Sequence, residues 1–216
     1  MNSSRDKKTG HESQPDFTLT TIDLLRHGAC EGGEIFRGST DVPLTESGWQ
    51  QMRAALEPHS GWDCIVSSSL QRCRRFAEQF ATANTLPLHV DGALREIHFG
   101  DWEGQKIADI ERDHGTSLWR FWNDPECFSP PNGEPMTVFR ERVLQAAGEL
   151  LHEHGGRHIL LISHGAVIRT LLCEWLQMPS TAFSRIAVPY AGLSRIRIYQ
   201  RGDERPWPQF VFHRGE

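Results

Sequence analysis

The 216-residue chain has no surplus of positive charge: 28 Asp and Glu outnumber 23 Lys and Arg, for a formal net charge of −5. It therefore offers no basic footprint for a nucleic-acid backbone or an anionic lipid surface. Cysteines are few and poorly spaced for structural chemistry. The five, Cys30, Cys64, Cys73, Cys127 and Cys173, are odd in number and contain no CxxC pair. Neither a disulfide framework nor a zinc knuckle is expected from them. Long apolar runs are absent too. The opening MNSSRDKKTGHESQPD lacks the apolar core of a signal peptide, and no stretch approaches the roughly 20 residues of a membrane span. A cytoplasmic protein is expected, with residues 1–18 a mobile tail and 19–216 a single domain. No repeat of solenoid type is visible.

What is present looks like an ordinary globular α/β chain, with 38% hydrophobic and 24% charged residues. Two short apolar runs, Ile22–Leu25 and Ile159–Ile162, have the length and Gly boundary of buried strands. Each ends in the same way, at Arg26-His27-Gly28-Ala29 and at Ser163-His164-Gly165-Ala166. Between them the pattern predicts a helix from Thr45, its N-cap, to Leu56, a strand at Cys64–Val66, and a helix over Leu70–Ala83 that begins near Ser68 or Ser69. A further strand is expected at Leu88–Val90. Residues 101–136, with Trp102, Trp119, Trp122 and the loop Ser129–Pro135, read as an insertion covering the site, because Pro-rich segments do not form central strands. Val138–His154 and Ala166–Leu176 read as helices, Leu193–Tyr199 and Phe210–Phe212 as strands. Alternating strands and helices predict a three-layer α/β/α sandwich on a mostly parallel sheet. Ligands on such sheets bind beyond the carboxyl ends of the strands, where both His-Gly dipeptides fall.

A neutral imidazole can attack phosphorus and form a covalent intermediate, which makes His27 a candidate nucleophile. A transferring phosphoryl group spreads negative charge over its oxygens, and a protonated His164 on a neighbouring strand could bind one of them. Two histidines do not make a metal site. No HExxH motif or carboxylate triad flanks them, so no metal or other cofactor is expected. Arg26, Arg37 and Arg72 follow strand ends and are candidate phosphate ligands, since guanidinium forks bind phosphate in bidentate fashion. A carboxyl group among apolar neighbours has a raised pKa and can protonate a leaving oxygen. Spacing alone does not rank Glu96, Asp101 and Glu103 for that role.

Taken together these residues resemble the histidine phosphatase superfamily, with its phosphoglycerate mutase-like fold. The matching motifs are Leu25-Arg-His-Gly28, Asp41-Val-Pro-Leu-Thr-Glu-Ser-Gly48, Ser67-Ser-Ser-Leu-Gln-Arg72, Arg95-Glu-Ile-His-Phe-Gly-Asp-Trp-Glu-Gly104 and Ile162-Ser-His-Gly165. They occur in the family's order and cover nearly all of residues 20–200. The resemblance implies that His27 is phosphorylated, that Arg26, Arg72 and His164 bind the phosphoryl group, and that Glu96 is the proton donor. The chain departs from the family where many relatives carry RHGE; here Ala29-Cys30-Glu31-Gly32-Gly33 follows His27. The loop is shortened, so Arg37 stands where relatives often place a polar phosphate contact. This loop and Pro130-Pro-Asn-Gly-Glu134 resemble the α-ribazole phosphatase branch; Glu134 is a candidate substrate contact, the alternative being that it closes a turn. The expected function is hydrolysis of small phosphomonoesters such as α-ribazole 5′-phosphate. A mutase, or a catalytically dead binding module on the same fold, are the rivals. Oligomeric state is left open.

Overall fold

Residues 17–214 are described by a computed structural model, so most of the expected tail, residues 1–16, lies outside the described residues. Thr18, which the expectation placed in that tail, instead begins β1 (Thr18–Arg26). The strands β2 (Cys64–Ser68), β3 (Leu88–Asp91), β4 (His158–Ser163), β5 (Leu193–Gln200) and β6 (Trp207–Arg214) join it in one sheet, in the order β3-β2-β4-β1-β5-β6. The first four positions pair in parallel, and β5 and β6 add an antiparallel edge. Pro208, which has no N–H to donate, is confined to β6, at the edge.

Strand side chains alternate between the two faces, and the apolar runs supply both. Ile22 and Leu24 of β1, with Ile159 and Leu161 of β4, enter one core together with α3 (Ile107–Asn123), α4 (Met136–His154) and α5 (Gly165–Trp175). Leu25, Leu160 and Ile162 face the other core, built with α1 (Glu46–Leu56) and α2 (Gln71–Asn84). The result is a six-stranded mixed sheet, parallel at its centre, covered by helices on both faces.

Thr45 caps α1 as expected, its hydroxyl accepting from Gly48 N at 3.0 Å. The start of α2 differs from the expectation. Ser68 stays in β2, paired with Asp91, and its hydroxyl accepts from Leu70 N, so the helix begins only at Gln71. Residues 101–136 also contain more regular structure than a Pro- and Trp-rich loop implies. They hold α3, which carries a kink at His114, followed by the turn over 124–135 that leads into α4. Among the described residues, no helix is long and apolar enough to cross a membrane.

Candidate active site

The parallel register of β1 and β4 pairs Leu25 with Ile162 and Arg26 with Ser163. His27 and His164 are therefore the next residues of two adjacent strands, and His27 N donates to Ser163 O at 3.0 Å. Their rings meet edge to face, with centroids 5.3 Å apart. Glycine is required just after His27, because a Cβ on Gly28 would lie 2.2 Å from Gly48 O.

His27 is 3% exposed. Its Nδ1 lies 2.8 Å from Gly28 O, and a carbonyl can only accept, so Nδ1 carries the proton and Nε2 the lone pair. Burial, reinforced by the positive charges of Arg72, Arg26 and Arg37, holds the His27 pKa well below the usual histidine value. The ring is a neutral base with a fixed tautomer. His164 is completely buried, and its pKa is likewise pushed well down by burial and then by Arg72. Arg72 Nε donates to His164 Nδ1 at 3.3 Å, which leaves Nε2–H to donate to Ser68 Oγ at 2.7 Å. The protonated His164 expected from the sequence is thus corrected to a neutral ring with both nitrogens engaged.

Arg72 is fully buried as well, and directs three of its other four N–H groups to Thr40 O, Arg37 O and Gly38 O. It organises the 37–40 loop beside the site. Gly38 allows that close packing: a Cβ there would lie 2.1 Å from Ile97 O. Arg26 is re-aimed by the strand end. Its Nη1 donates to Val188 O at 2.6 Å and its guanidinium stacks 4.3 Å from the Tyr190 ring centre. Arg37 donates to Tyr190 Oη, Glu31 O and Gly33 O. The Nε atoms of both Arg26 and Arg37 are buried without a hydrogen-bond partner among the described residues. Such orphaned cationic donors are costly unless an acceptor meets them.

The structure separates the three carboxylates. Glu96 lines the same cavity as Arg26, His27 and Arg37. Its oxygens accept from Ile97 N and from Ala166 N at the start of α5, and burial raises its pKa against those bonds. Glu103 is spent on Ser39 N, Thr40 N and Phe99 N. Burial would raise its pKa, but the bonds led by the Thr40 hydroxyl win and lower it. Asp101 is exposed and accepts from Asn132.

Glu134 does not join the cavity lining. It forms a two-pronged ion pair with Arg142 of α4, at 2.6 and 2.8 Å, and accepts from His98 N. Arg142 in turn donates to the carbonyls of Ala93, Arg95 and Glu96. Glu134, expected to meet substrate, thus takes part in a clasp on the segment that carries Glu96. Both side chains of the pair are largely buried.

The cavity has a volume of about 240 Å³. Beyond the polar groups its walls are Phe36, Phe99, Phe121, Trp122, Phe183 and Tyr190, with Arg169 of α5 among them. Tyr190 and Arg169 were not singled out in the sequence. Arg169 sits one helical turn after Gly165, a spacing that could have flagged it. No local pattern marks Tyr190.

Comparisons with known proteins agree with this geometry. The chain is 35% identical over 191 residues to a bifunctional protein of Mycobacterium tuberculosis, covering 86% of this chain and 52% of that protein. The chain thus spans about half the length of the first curated relatives it matches. It is 29% identical over 179 residues to the adenosylcobalamin/α-ribazole phosphatase of Salmonella typhimurium, covering 81% of this chain and 89% of that protein. Among solved structures, a mycobacterial glucosyl-3-phosphoglycerate phosphatase superposes with a TM-score of 0.79 at 26% identity, over 89% of this chain and 97% of its own. The family model of the histidine phosphatase superfamily (branch 1) matches residues 22–205, from the first buried strand to the hairpin at the sheet edge, and the chain belongs to that superfamily.

Proposed function

We propose that the protein is a metal-independent phosphatase that hydrolyses small phosphomonoesters through a phosphohistidine on His27. The observation that carries this reading is a neutral His27, its lone pair on Nε2, in a cavity with two orphaned guanidinium donors. A phosphoryl group accepting from Arg26 Nε and Arg37 Nε would satisfy both and face the nucleophile. Arg72 and His164 back the nucleophile, Arg72 as a fixed positive charge that disfavours protonation of His27.

In the first step His27 Nε2 bonds to phosphorus, the P–O ester bond breaks, and the proton of Glu96 passes to the leaving oxygen. In the second, water attacks phosphorus, its proton goes to the Glu96 carboxylate, the N–P bond breaks, and phosphate and the starting imidazole are released. The raised pKa of Glu96 favours its protonated form and the lowered pKa of His27 its neutral form, the two forms that step one uses. The five cysteines are all unpaired, which supports a reducing, cytoplasmic setting. Relatives named as α-ribazole and glucosyl-3-phosphoglycerate phosphatases bracket the leaving groups to screen.

The test is phosphate release from p-nitrophenyl phosphate and from that panel. His27→Ala is expected to abolish turnover, and a chelator to leave the native enzyme intact. Activity lost to a chelator and restored by zinc would refute the mechanism. Isomer formation without phosphate release would replace hydrolysis by a mutase reaction.

A further inference from the structure

Arg26 and Arg37 come from different segments, the end of β1 and the loop after it, yet one side chain from a third segment holds both. The ring of Tyr190 lies under Arg26, whose guanidinium carbon is 4.3 Å from the ring centre, and its Oη accepts from Arg37 Nη1 at 3.2 Å. The same ring stands 5.6 Å from the His27 imidazole, centre to centre, and forms part of the cavity wall. The backbone around Tyr190 is tied to the strand that carries the nucleophile. Ala191 N donates to His27 O at 3.2 Å, Arg26 N donates to Gly192 O at 3.0 Å, and Gly192 N closes the turn onto Pro189 O at 2.9 Å. Inside that turn Ala191 has a φ of 54°, in the left-handed region that disfavours any residue with a Cβ. Such strain persists only where the surroundings over-determine it, and it gathers at functional sites. The turn sets Tyr190 against the end of β1 that carries Arg26 and His27.

The hydroxyl still has a proton to give. A phenol accepts and donates at once, and Arg37 engages it only as an acceptor. No acceptor for the O–H lies among the described residues. The neighbouring unmatched groups, Arg26 Nε and Arg37 Nε, are donors too. Three donors on one cavity are thus left for a ligand rich in acceptors. The non-bridging oxygens of a phosphoryl dianion only accept, and they carry the charge that such donors stabilise.

We infer that Tyr190 is a phosphoryl-binding residue: its O–H donates to a non-bridging oxygen of the group that His27 attacks, while its ring and its oxygen hold Arg26 and Arg37 for that same group. This rests on the phosphatase reading of the site. The contact is made with the transferred group and not with the leaving group, so every substrate feels its loss alike. A hydrogen bond to a charged group corresponds to about tenfold or more in affinity.

Tyr190→Phe keeps the ring and the Arg26 stack and removes only the hydroxyl. In this variant kcat/KM for phosphate release is expected to fall about tenfold, by the same factor for p-nitrophenyl phosphate and for glycerol 3-phosphate. Inorganic phosphate, as a competitive inhibitor, is expected to weaken by a similar factor. A loss confined to glycerol 3-phosphate would assign the hydroxyl to the leaving group and overturn the inference, and so would phosphate inhibition as strong as in the native enzyme. A second measurement needs no variant. The chain has two tyrosines, Tyr190 and Tyr199, and Tyr199 pairs with Leu19 at the far end of β1. In native protein labelled at tyrosine, titration with inorganic phosphate is expected to shift the NMR signal of the Tyr190 ring and to leave that of Tyr199 in place. A Tyr190 signal unmoved at saturating phosphate, or a protein that binds no phosphate, overturns the inference whether or not the variant folds. If phosphate shifts Tyr190 but no phosphomonoester is hydrolysed, the phosphatase reading falls while the contact between Tyr190 and a phosphoryl anion is supported.

Discussion

Protonating Asp23 should loosen the strand pairing on which the site is built, and the size of the effect follows from its surroundings. Asp23 is fully buried in the middle of β1. Arg195 of β5 grips both its oxygens at 2.6 and 2.7 Å, the Trp62 indole donates to it at 2.8 Å, and His158 of β4 lies at 3.0 Å. Burial alone would raise its pKa, but these bonds, led by Arg195, outweigh that and bring it down from 3.8 to about 2. A carboxylate with a depressed pKa stabilises the fold above its unfolded-state value, and the stabilisation is lost as pH falls through the folded-state value. At about 1.36 kcal/mol per unit, the shift corresponds to roughly 2.4 kcal/mol at neutral pH. About 1 kcal/mol of this should vanish between about pH 6 and about pH 3, and the rest at lower pH. The assay is urea unfolding followed by tryptophan fluorescence, in native protein and Asp23→Asn, across that range. The stability gap between them should shrink by about 1 kcal/mol from pH 6 to pH 3. A gap that stays constant with pH would refute the reasoning, because the carboxylate would then carry no shift.

Two further outcomes follow from the site. Glu96→Gln removes the proposed proton donor, so kcat on an alkyl phosphate should fall about 10²- to 10⁴-fold. The phosphorylation step on p-nitrophenyl phosphate, whose leaving group needs no proton, should suffer far less in a single-turnover measurement. The alkaline limb of the native kcat/KM profile, set by Glu96 above its ordinary pKa, should disappear in the same variant, while the acid limb from His27 stays below the usual histidine value. Arg142→Met cuts the clasp on the Glu96 segment and should lower kcat more than it raises KM, moving the alkaline limb of the profile. A change in melting temperature alone, with the profile unmoved, would make Arg142 merely structural.

The sequence carried much of the fold because strand and helix periods are local properties. Ile22–Leu25 and Ile159–Ile162 each supply side chains to both cores, and such continuous apolar runs are readable without any partner. The repeated His-Gly ending marked the site before the β1–β4 register was known. Facing directions were less legible. Arg72 and Arg37 look alike in sequence, yet four of the five Arg72 N–H groups go to loop carbonyls and His164, whereas the Arg37 Nε is buried and unmatched among the described residues. Glu134 sits in a loop next to the site in sequence terms, and only the fold reveals Arg142 eight positions later as its partner. Helix α3 was hidden because Gly115 and the kink at His114 interrupt its apolar period. The protonation of His164 was misread because its distance from Arg72 is a tertiary fact.

The two imidazoles come from strands that lie 137 residues apart in the chain and become neighbours only when β4 docks against β1. No partly folded chain that lacks this pairing can have a working centre. Closing so long a loop is among the slower events of folding, so enzymatic turnover should return with the last refolding phase rather than with early helix formation. On the proposed function, turnover doubles as a clock for the completion of the sheet.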